Sequence, residues 1–221
     1  MFSYLSLLNG AIRSVKLNDV MNETILEQAL RTLGQVLQDR GLSYDLVAIG
    51  GGALLLQGIV LRPTEDLDIV ARAGEDSWVY AKPFPEPLEA AIKDVGQAMG
   101  LSLADSAEKD WINPGPAILA GIGLPEGFES RVQIRRYGGL VLRLASRFDL
   151  IHLKLWAVTS SARRNRRRVD LDDLVALKPT TDEWRSAIRW CARLDGRPDF
   201  HRLEAKPILD ELGVDLEAEN G

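Results

Sequence analysis

The feature that most constrains this chain is a glycine triplet followed, after an apolar stretch, by a strand with alternating acids. Residues 50–52 form the triplet, and further on Asp66 and Asp68 alternate with Leu67 and Ile69. Successive side chains of a β-strand point to opposite faces, so the two acids lie on one face while the apolar pair enters a core. This order predicts a strand, a glycine turn, a short helix and a second strand in one compact unit.

The acids and the glycine turn together suit a phosphate ligand and a divalent cation. Mg²⁺ is usually held by one or two carboxylates plus substrate phosphates, so Asp66 and Asp68 are the predicted ligands of Mg²⁺ or Mn²⁺. Backbone N–H groups at a helix start bind anions, and the missing Cβ atoms of Gly51 and Gly52 let a phosphate approach closely. The plain alternative is a solvated edge strand beside an ordinary turn.

Composition and motif spacing argue against several classes of protein. The glycine turn has neither a following Gly-Lys-Ser/Thr nor G-x-G-x-x-G spacing, which disfavours a P-loop and a dinucleotide-binding turn. A net charge of −5 argues against a surface that embraces nucleic acid throughout. The single cysteine, Cys191, permits no intrachain disulfide, which fits the cytoplasm. The apolar N-terminus lacks a basic leader, so we expect neither a signal peptide nor a membrane span.

Hydrophobic periodicity predicts an α+β fold with helices gathered towards the C-terminus. Predicted strands lie at 44–49, 67–71, 132–137 and 140–144, the last two joined by a Gly138-Gly139 hairpin. Predicted helices lie at 22–40, 53–57, 88–99, 146–158, 170–177 and 180–196. We therefore expect a mixed sheet flanked by helices in residues 1–145 and a helical part, residues 146–221, packed on that core.

The order and spacing of the glycines and acids resemble the signature of the nucleotidyltransferase superfamily typified by DNA polymerase β. That signature is a Gly pair, a spacer and an acid-apolar-acid strand, and here 13 residues separate Gly51-Gly52 from Asp66-Leu67-Asp68-Ile69. The resemblance implies a nucleotidyltransferase-type mixed sheet. It also implies transfer of a nucleoside monophosphate from an NTP to a hydroxyl group, with a metal ion at the two acids.

Further segments look like bacterial nucleotidyltransferase-like proteins related to the AbiEii toxins of type IV toxin-antitoxin systems. The similar segments are Trp111-Ile112-Asn113, Leu124-Pro125, Phe128, Arg131, 148–155, 170–174, Pro179-Thr180 and Trp190. The likeness covers about residues 40–190. Members of that group with known activity are similar to toxins that add nucleotides to tRNA acceptor ends. The resemblance therefore implies RNA, with the tRNA 3′ end suggested, as the acceptor, and an antitoxin protein as a partner.

Lys154 is unusual because it lies on an apolar helix face. The residues three and four positions away on either side, Leu150, Ile151, Ala157 and Val158, are all apolar. One interpretation is that the side chain extends along this surface to reach water. The other is that its ammonium group reaches a bound triphosphate, and the resemblance favours this second interpretation.

Asp170 and Asp173 are three residues apart and share one face of the next predicted helix. In the related toxins a Lys on one helix and an Asp on the next complete the site, which makes either Asp170 or Asp173 the matching acid. A helix cap at Asp170 and a salt bridge at Asp173 would explain both residues without catalysis.

The loop between these helices contains five arginines in six residues. They are Arg163, Arg164, Arg166, Arg167 and Arg168. Such a concentration of guanidinium groups suits RNA phosphates or a triphosphate tail, although a solvated charged loop is the plain alternative. Arg62, just before the acidic strand, is a further candidate for nucleotide phosphate contact.

One departure from the superfamily pattern concerns the general base. Polymerase-like members usually have a third carboxylate on a later strand, but the best candidate strand here, 132–137, carries Gln133, Arg135 and Arg136. Either two acids suffice, with the metal lowering the pKa of the attacking hydroxyl, or the activity is altered. The sequence thus predicts a metal-dependent nucleotidyltransferase. The rivals are a nucleotide-sugar glycosyltransferase, which the early Gly pair disfavours, and a catalytically silent module that binds RNA or a partner.

Overall fold

A computed structural model describes residues 21–74, 77–101, 110–117, 119, 121, 123–159 and 165–216. Within these residues the strands are β1 (Tyr44–Ile49), β2 (Leu67–Ala73), β3 (Trp78–Tyr80), β4 (Ile112–Asn113), β5 (Gln133–Tyr137) and β6 (Leu140–Leu144). They form one mixed sheet in the order β3-β2-β1-β6-β5, and β4 pairs with β2 outside this path. The sheet includes both parallel and antiparallel pairs, because β1 runs parallel to β6 and antiparallel to β2.

Helices flank this sheet and dominate the chain after its last strand. The α-helices described are α1 (Glu23–Asp39), α2 (Gly50–Leu56), α3 (Glu86–Met99), α4 (Phe128–Arg131), α5 (Arg147–Thr159), α6 (Arg167–Leu177), α7 (Thr181–Asp195) and α8 (Lys206–Leu212), and a 3-10 helix (Gly115–Ala117) and a π-helix (His201–Ala205) are also present. The predicted fold class, an α+β mixed sheet with a helical C-terminal part, is confirmed. None of the helices in the described ranges is long and apolar enough to cross a membrane. The expectation about a signal peptide concerns residues 1–20, which lie outside the described residues.

Local sequence signals explain where the predicted helices begin and end. The Asn22 side chain accepts a hydrogen bond from Ile25 N at 2.9 Å and starts α1. Thr180 and Glu183 form a capping box at the start of α7, and Gly196 ends that helix in the left-handed conformation. Some helix starts differ from the prediction: α2 begins at Gly50 rather than after the glycine turn, so the triplet forms the first helical turn, and α6 begins at Arg167 rather than at 170.

Strand register brings the glycine triplet next to the acids. Ile49, the last residue of β1, pairs with Asp68 in β2, and α2 begins at the following residue. On the other side of β2, Asn113 in β4 pairs with Asp68 in a parallel ladder. Asp68 therefore lies between the start of α2 and the short strand β4.

The C-terminal helices pack against this core through α5. Most of α5 is buried, and it contacts α2, α6 and α7. Arg147 joins three helix ends, because it donates hydrogen bonds to Leu177 O at 2.8 Å and Lys178 O at 2.7 Å while pairing with Glu183 at 2.5 Å. This packing presents one face of α5 to α6 and brings Lys154 close to Asp170 and Asp173.

Candidate functional site

The glycine turn is in close contact with two of the predicted site residues. Gly50 has a φ of +72°, in the left-handed region, and a Cβ atom there would collide with the carboxylate of Asp68. A Cβ atom on Gly51 would lie 3.1 Å from Nη2 of Arg62 and 3.2 Å from Oγ1 of Thr64. The missing side chains thus allow the first turn of α2 to lie directly against an acid and a guanidinium group.

Asn113 bridges the two acids of the strand. Its Nδ2 donates to Asp66 Oδ2 at 3.1 Å and to Asp68 Oδ1 at 3.0 Å. Its Oδ1 accepts a hydrogen bond from Gly115 N at 2.8 Å, which fixes the orientation of the amide. Asp66 and Asp68 are both half-buried, so the bridged carboxylates remain partly accessible to solvent. We call Asp66 and Asp68 the acidic pair and Asn113 its bridge.

The strands that pair with the acidic strand β2 next to Asp68 are β1 and β4, and the strand 132–137 is not among them. Residues 132–137, the best candidate segment for a third carboxylate, contain β5, which is separated from β2 by β1 and β6. The polar residue that pairs with Asp68 is Asn113 in β4, which supplies an amide in place of an acid. A two-residue strand leaves no periodic signal, so the only sequence clue to Asn113 was its occurrence in one of the segments that carry the family resemblance.

The donor set at the acidic pair fits Mg²⁺ only together with a phosphate ligand. In the described part of the chain, no group of three or more His, Cys, Asp or Glu residues is arranged to hold a metal ion. Two carboxylates are nevertheless a common protein contribution to a Mg²⁺ site when substrate phosphates and waters fill the other positions. Asp66 and Asp68 are thus compatible with a metal ion that arrives with a nucleotide.

A second group of charged residues, which we call the Lys154 cluster, lies behind the glycine turn. Its members are Arg62, Lys154, Asp170 and Asp173. Lys154 Nζ lies 2.7 Å from Asp170 Oδ1 and 2.6 Å from Asp173 Oδ2. Arg62 donates two hydrogen bonds to Asp173, from Nε at 2.9 Å and from Nη2 at 2.6 Å. The structure thus brings together residues that are 111 positions apart in the sequence.

Burial separates the members of the Lys154 cluster into an interior part and an accessible end. The side chain of Lys154 is 7% exposed, and those of Asp170 and Asp173 are 1% exposed. The Arg62 side chain is 28% exposed and adjoins Gly51. Buried charges are tolerated when they are paired and hydrogen-bonded, and the two cations here match the two carboxylates. Arg62 is therefore the part of the cluster that faces the glycine turn.

The Lys154 cluster agrees with one sequence interpretation of its members, the salt bridge at Asp173, and differs from two others. Lys154 does not extend along an apolar surface to water, and in this arrangement its ammonium group is occupied by two carboxylates. Asp170 is not the N-cap of α6, because the helix begins three residues earlier at Arg167. Asp170 and Asp173 both contact Lys154, and Asp173 also accepts two hydrogen bonds from Arg62.

The arginine-rich loop borders the site, and its described members are paired with acids. Arg163 and Arg164 lie outside the described residues. Arg166 lies 3.4 Å from Glu65, Arg167 lies 2.6 Å from Glu211, and Arg168 lies 3.1 Å from Asp172. The hydrogen bond that Arg167 donates to Glu211 raises the pKa of Arg167. Because Glu65 precedes Asp66 in the chain, Arg166 lies at the edge of the acidic pair.

Comparisons with known proteins find no protein similar to this chain. No family model, no curated protein and no solved structure matches the chain. The candidate site is therefore defined by its own geometry, in which the glycine turn contacts Asp68 on one side and Arg62 on the other.

Proposed function

We propose that this protein is a metal-dependent nucleotidyltransferase that moves a nucleoside monophosphate from an NTP to a hydroxyl group of RNA. The observation that carries the proposal is the junction at the glycine turn, where Gly50 adjoins Asp68 and Gly51 adjoins Arg62. Backbone N–H groups, a carboxylate and a guanidinium group converge there. Such a combination suits a triphosphate that arrives with a metal ion.

Asp66 and Asp68 would hold the Mg²⁺ or Mn²⁺ ion. When bound, such an ion stabilises the charge that develops on the phosphoryl oxygens during transfer. Asn113 supports the acids by keeping the two carboxylates side by side, 3.0 and 3.1 Å from one amide nitrogen. The proposed role of Asn113 is therefore to position the acids.

Arg62 and Lys154 have different proposed roles at the triphosphate. Arg62 is partly exposed beside Gly51, so its guanidinium group is suited to contact a phosphate on the glycine turn. Lys154 is a positioning residue, because it holds Asp173, whose two oxygens orient Arg62. Lys154 therefore acts on the substrate through Asp173 and Arg62.

The proposed reaction forms a bond from the acceptor hydroxyl oxygen to the α-phosphorus of the NTP. The bond from that phosphorus to the β-phosphate oxygen breaks, pyrophosphate leaves, and the hydroxyl proton is released to water. Arg166 at the edge of the site suits the phosphates of an RNA acceptor. Following the family resemblance, we extend the proposal to the tRNA 3′ end, to a cytoplasmic toxin and to an antitoxin partner.

A transfer assay tests the proposal directly. The protein is incubated with total RNA and each α-³²P-labelled NTP, with Mg²⁺ or with EDTA, and labelled RNA is measured on a gel. We expect Mg²⁺-dependent labelling that falls about a hundredfold or more in Asp66→Asn and in Asp68→Asn. Asp172→Asn is the matched control, since Asp172 is an exposed acid on α6 that pairs with Arg168. Labelling that persists in both strand variants would overturn the proposal.

Two further measurements separate the rival functions. Turnover of a labelled nucleotide sugar in the absence of NTP use would favour a glycosyltransferase. Salt-sensitive RNA binding without any NTP or Mg²⁺ binding would favour the silent module. The positioning role of Lys154 has its own readout: Lys154→Met should raise the KM for NTP, and Lys154→Arg should restore it in part.

A further inference from the structure

The side of α5 opposite Lys154 borders a second polar site, in a cavity of about 550 Å³. His152 lies two residues before Lys154, so the two side chains point to opposite sides of the helix. Arg131, Arg189 and Arg193 line this cavity together with His152. No residue of the acidic pair or of the Lys154 cluster lines it, so the cavity is separate from the site described above.

Arg131 is a cation held in a fixed position. Asp149, which is fully buried, accepts hydrogen bonds from its Nη2 at 2.5 Å and its Nε at 3.2 Å. The guanidinium carbon lies 4.9 Å from the centre of the Phe148 ring, in cation-π contact. Among the described residues, the remaining nitrogen, Nη1, has no hydrogen-bond partner. Because Asp149 and Phe148 fix the plane of the group, Nη1 is a preoriented donor for a ligand.

His152 and Ser186 form a hydrogen-bonded pair in the wall of the cavity. His152 Nδ1 lies 2.8 Å from Phe148 O, which accepts a hydrogen bond, so Nδ1 carries the proton. His152 Nε2 lies 3.1 Å from Ser186 Oγ and accepts from that hydroxyl. Burial lowers the pKa of His152, which keeps the ring neutral near pH 7. The pair thus presents a hydroxyl oxygen and adds no negative charge.

Arg189 and Arg193 supply the net charge of the cavity. They lie one helical turn apart on α7, and both are exposed. No ion pair of either residue is found in the part of the chain that the structure describes. One carboxylate, Glu126, also lines the cavity. The Arg131–Asp149 pair is neutral overall, so Arg189, Arg193 and Glu126 together give the site a net charge of +1. Its charged hydrogen-bond donors therefore outnumber its charged acceptors.

We infer that this cavity binds a phosphate group, as a phosphomonoester or phosphodiester, between Arg131 and the two arginines of α7. Guanidinium groups bind phosphate oxygens in pairs, and three of them converge here on one concave surface. Phe148, which is half-buried, adds aromatic surface beside the phosphate position, which suits a nucleotide or a segment of RNA backbone. This inference does not depend on nucleotidyl transfer at the glycine turn.

Histidine NMR tests the inference, because the chain contains only two histidines. Ring signals of His152 and His201 are followed while the full chain is titrated with inorganic phosphate, AMP or a short oligoribonucleotide. We expect saturable shifts of the His152 signals, while His201, which does not line this cavity, serves as the internal reference. Tighter binding of the oligoribonucleotide than of AMP would identify RNA backbone as the source of the phosphate, and the reverse would identify a free nucleotide.

A pair of double variants decides whether the cavity arginines bind the phosphate. Arg189→Gln/Arg193→Gln should weaken binding by about tenfold or more, since hydrogen bonds to charged groups are lost. Arg185→Gln/Arg202→Gln removes the same net charge from residues that line no part of the cavity, and should bind like the wild type. Asp66→Asn should also retain phosphate binding, even where it abolishes transfer. Equal weakening in both double variants, or shifts of His152 that never saturate, would overturn the inference.

Discussion

The acidic pair and the Lys154 cluster meet at the glycine turn, but they hold their charges in opposite ways. Asp66 and Asp68 are half-buried and are bridged by the neutral amide of Asn113 at 3.0 to 3.1 Å. Asp170 and Asp173 are buried, and Lys154 lies within 2.7 Å of both carboxylates. The difference teaches that two neighbouring sets of acids can have different tasks: one is accessible to a ligand, and the other forms part of the interior.

This contrast predicts where substitutions act. A buried charge that loses its partner destabilises the fold, because desolvation is no longer compensated. A half-buried acid remains partly hydrated, so changing it or its bridge should affect ligand affinity more than folding. Changes in the Lys154 cluster should therefore lower the free energy of unfolding, and changes at the acidic pair should alter the affinity for the metal ion that we propose it holds.

Loss of the Lys154 ammonium group should have the largest effect on stability. Lys154→Met leaves two buried carboxylates without this cation and should lower the free energy of unfolding by about 3–5 kcal/mol. The matched control is Lys206→Met, since Lys206 pairs with Asp210 at 3.1 Å on the surface and should change stability by less than about 0.5 kcal/mol. Urea denaturation measures both values. If the two variants lost the same free energy of unfolding, the Lys154 cluster would contribute no more to stability than a surface ion pair does, which would contradict this prediction.

A side chain at Gly50 should disturb the acidic pair through direct contact. Gly50→Ala combines a left-handed φ of +72° with a collision against Asp68, and should cost about 3 kcal/mol. Gly58→Ala is the control, because Gly58 has a φ of +68° but its Cβ would meet nothing within 4 Å. That variant should cost only about 1 kcal/mol. Thermal melts that give both variants the same loss would contradict the close approach of α2 to Asp68.

Removal of the Arg62 guanidinium group should lower the free energy of unfolding by an intermediate amount, because Asp173 still pairs with Lys154. Arg62→Gln should lower the free energy of unfolding by about 1–2 kcal/mol. Arg143→Gln is the comparison variant. Arg143 also donates two hydrogen bonds of 2.7 Å to a carboxylate, that of Asp45, but the Asp45 side chain is 23% exposed. We expect a loss below about 1 kcal/mol there. A larger loss in Arg143→Gln would mean that burial of the acid does not control the effect.

A third carboxylate at the bridge should alter metal binding more than folding. Asn113→Asp adds a negative charge beside Asp66 and Asp68, so the metal-free variant should lose about 1 kcal/mol through like-charge repulsion. The same charge should strengthen Mn²⁺ binding about tenfold, which isothermal titration calorimetry measures. Asn113→Ala removes the bridge without adding charge and should show no such gain. If the Mn²⁺ affinity of Asn113→Asp were unchanged, the proposal that the acidic pair binds a metal ion would be contradicted.

Much of the fold follows from local sequence patterns. The capping residues Asn22 and Thr180 begin α1 and α7 where predicted, and Gly138-Gly139 joins β5 to β6. These predictions succeed because caps, turns and hydrophobic periods depend on interactions between residues that are close in sequence. The helical start of α2 at Gly50 was missed, since glycine normally disfavours a helix and only contacts with β2 explain its use there.

The candidate site was predictable as a set of residues but not as an arrangement. Asp66, Asp68, Gly51 and Gly52 form a motif within one short stretch, so their proximity follows from strand alternation and a single turn. The place of Asn113 beside Asp68 depends on a two-residue strand that pairs across 45 positions of sequence, which no local pattern encodes. The same limit applies to the contact between Arg62 and Asp173.

By itself the sequence determined the α+β class, the helix ends and the identity of the glycine turn and the acidic strand, because these depend on short-range periodicity and capping. Only the tertiary structure decided which acids are buried with cations and which remain accessible. Packing of α5 against α6 removes Lys154, Asp170 and Asp173 from water, and burial then requires that they pair with one another. The position of β4 beside β2 gives Asp66 and Asp68 a neutral bridge and leaves them half-buried at the surface.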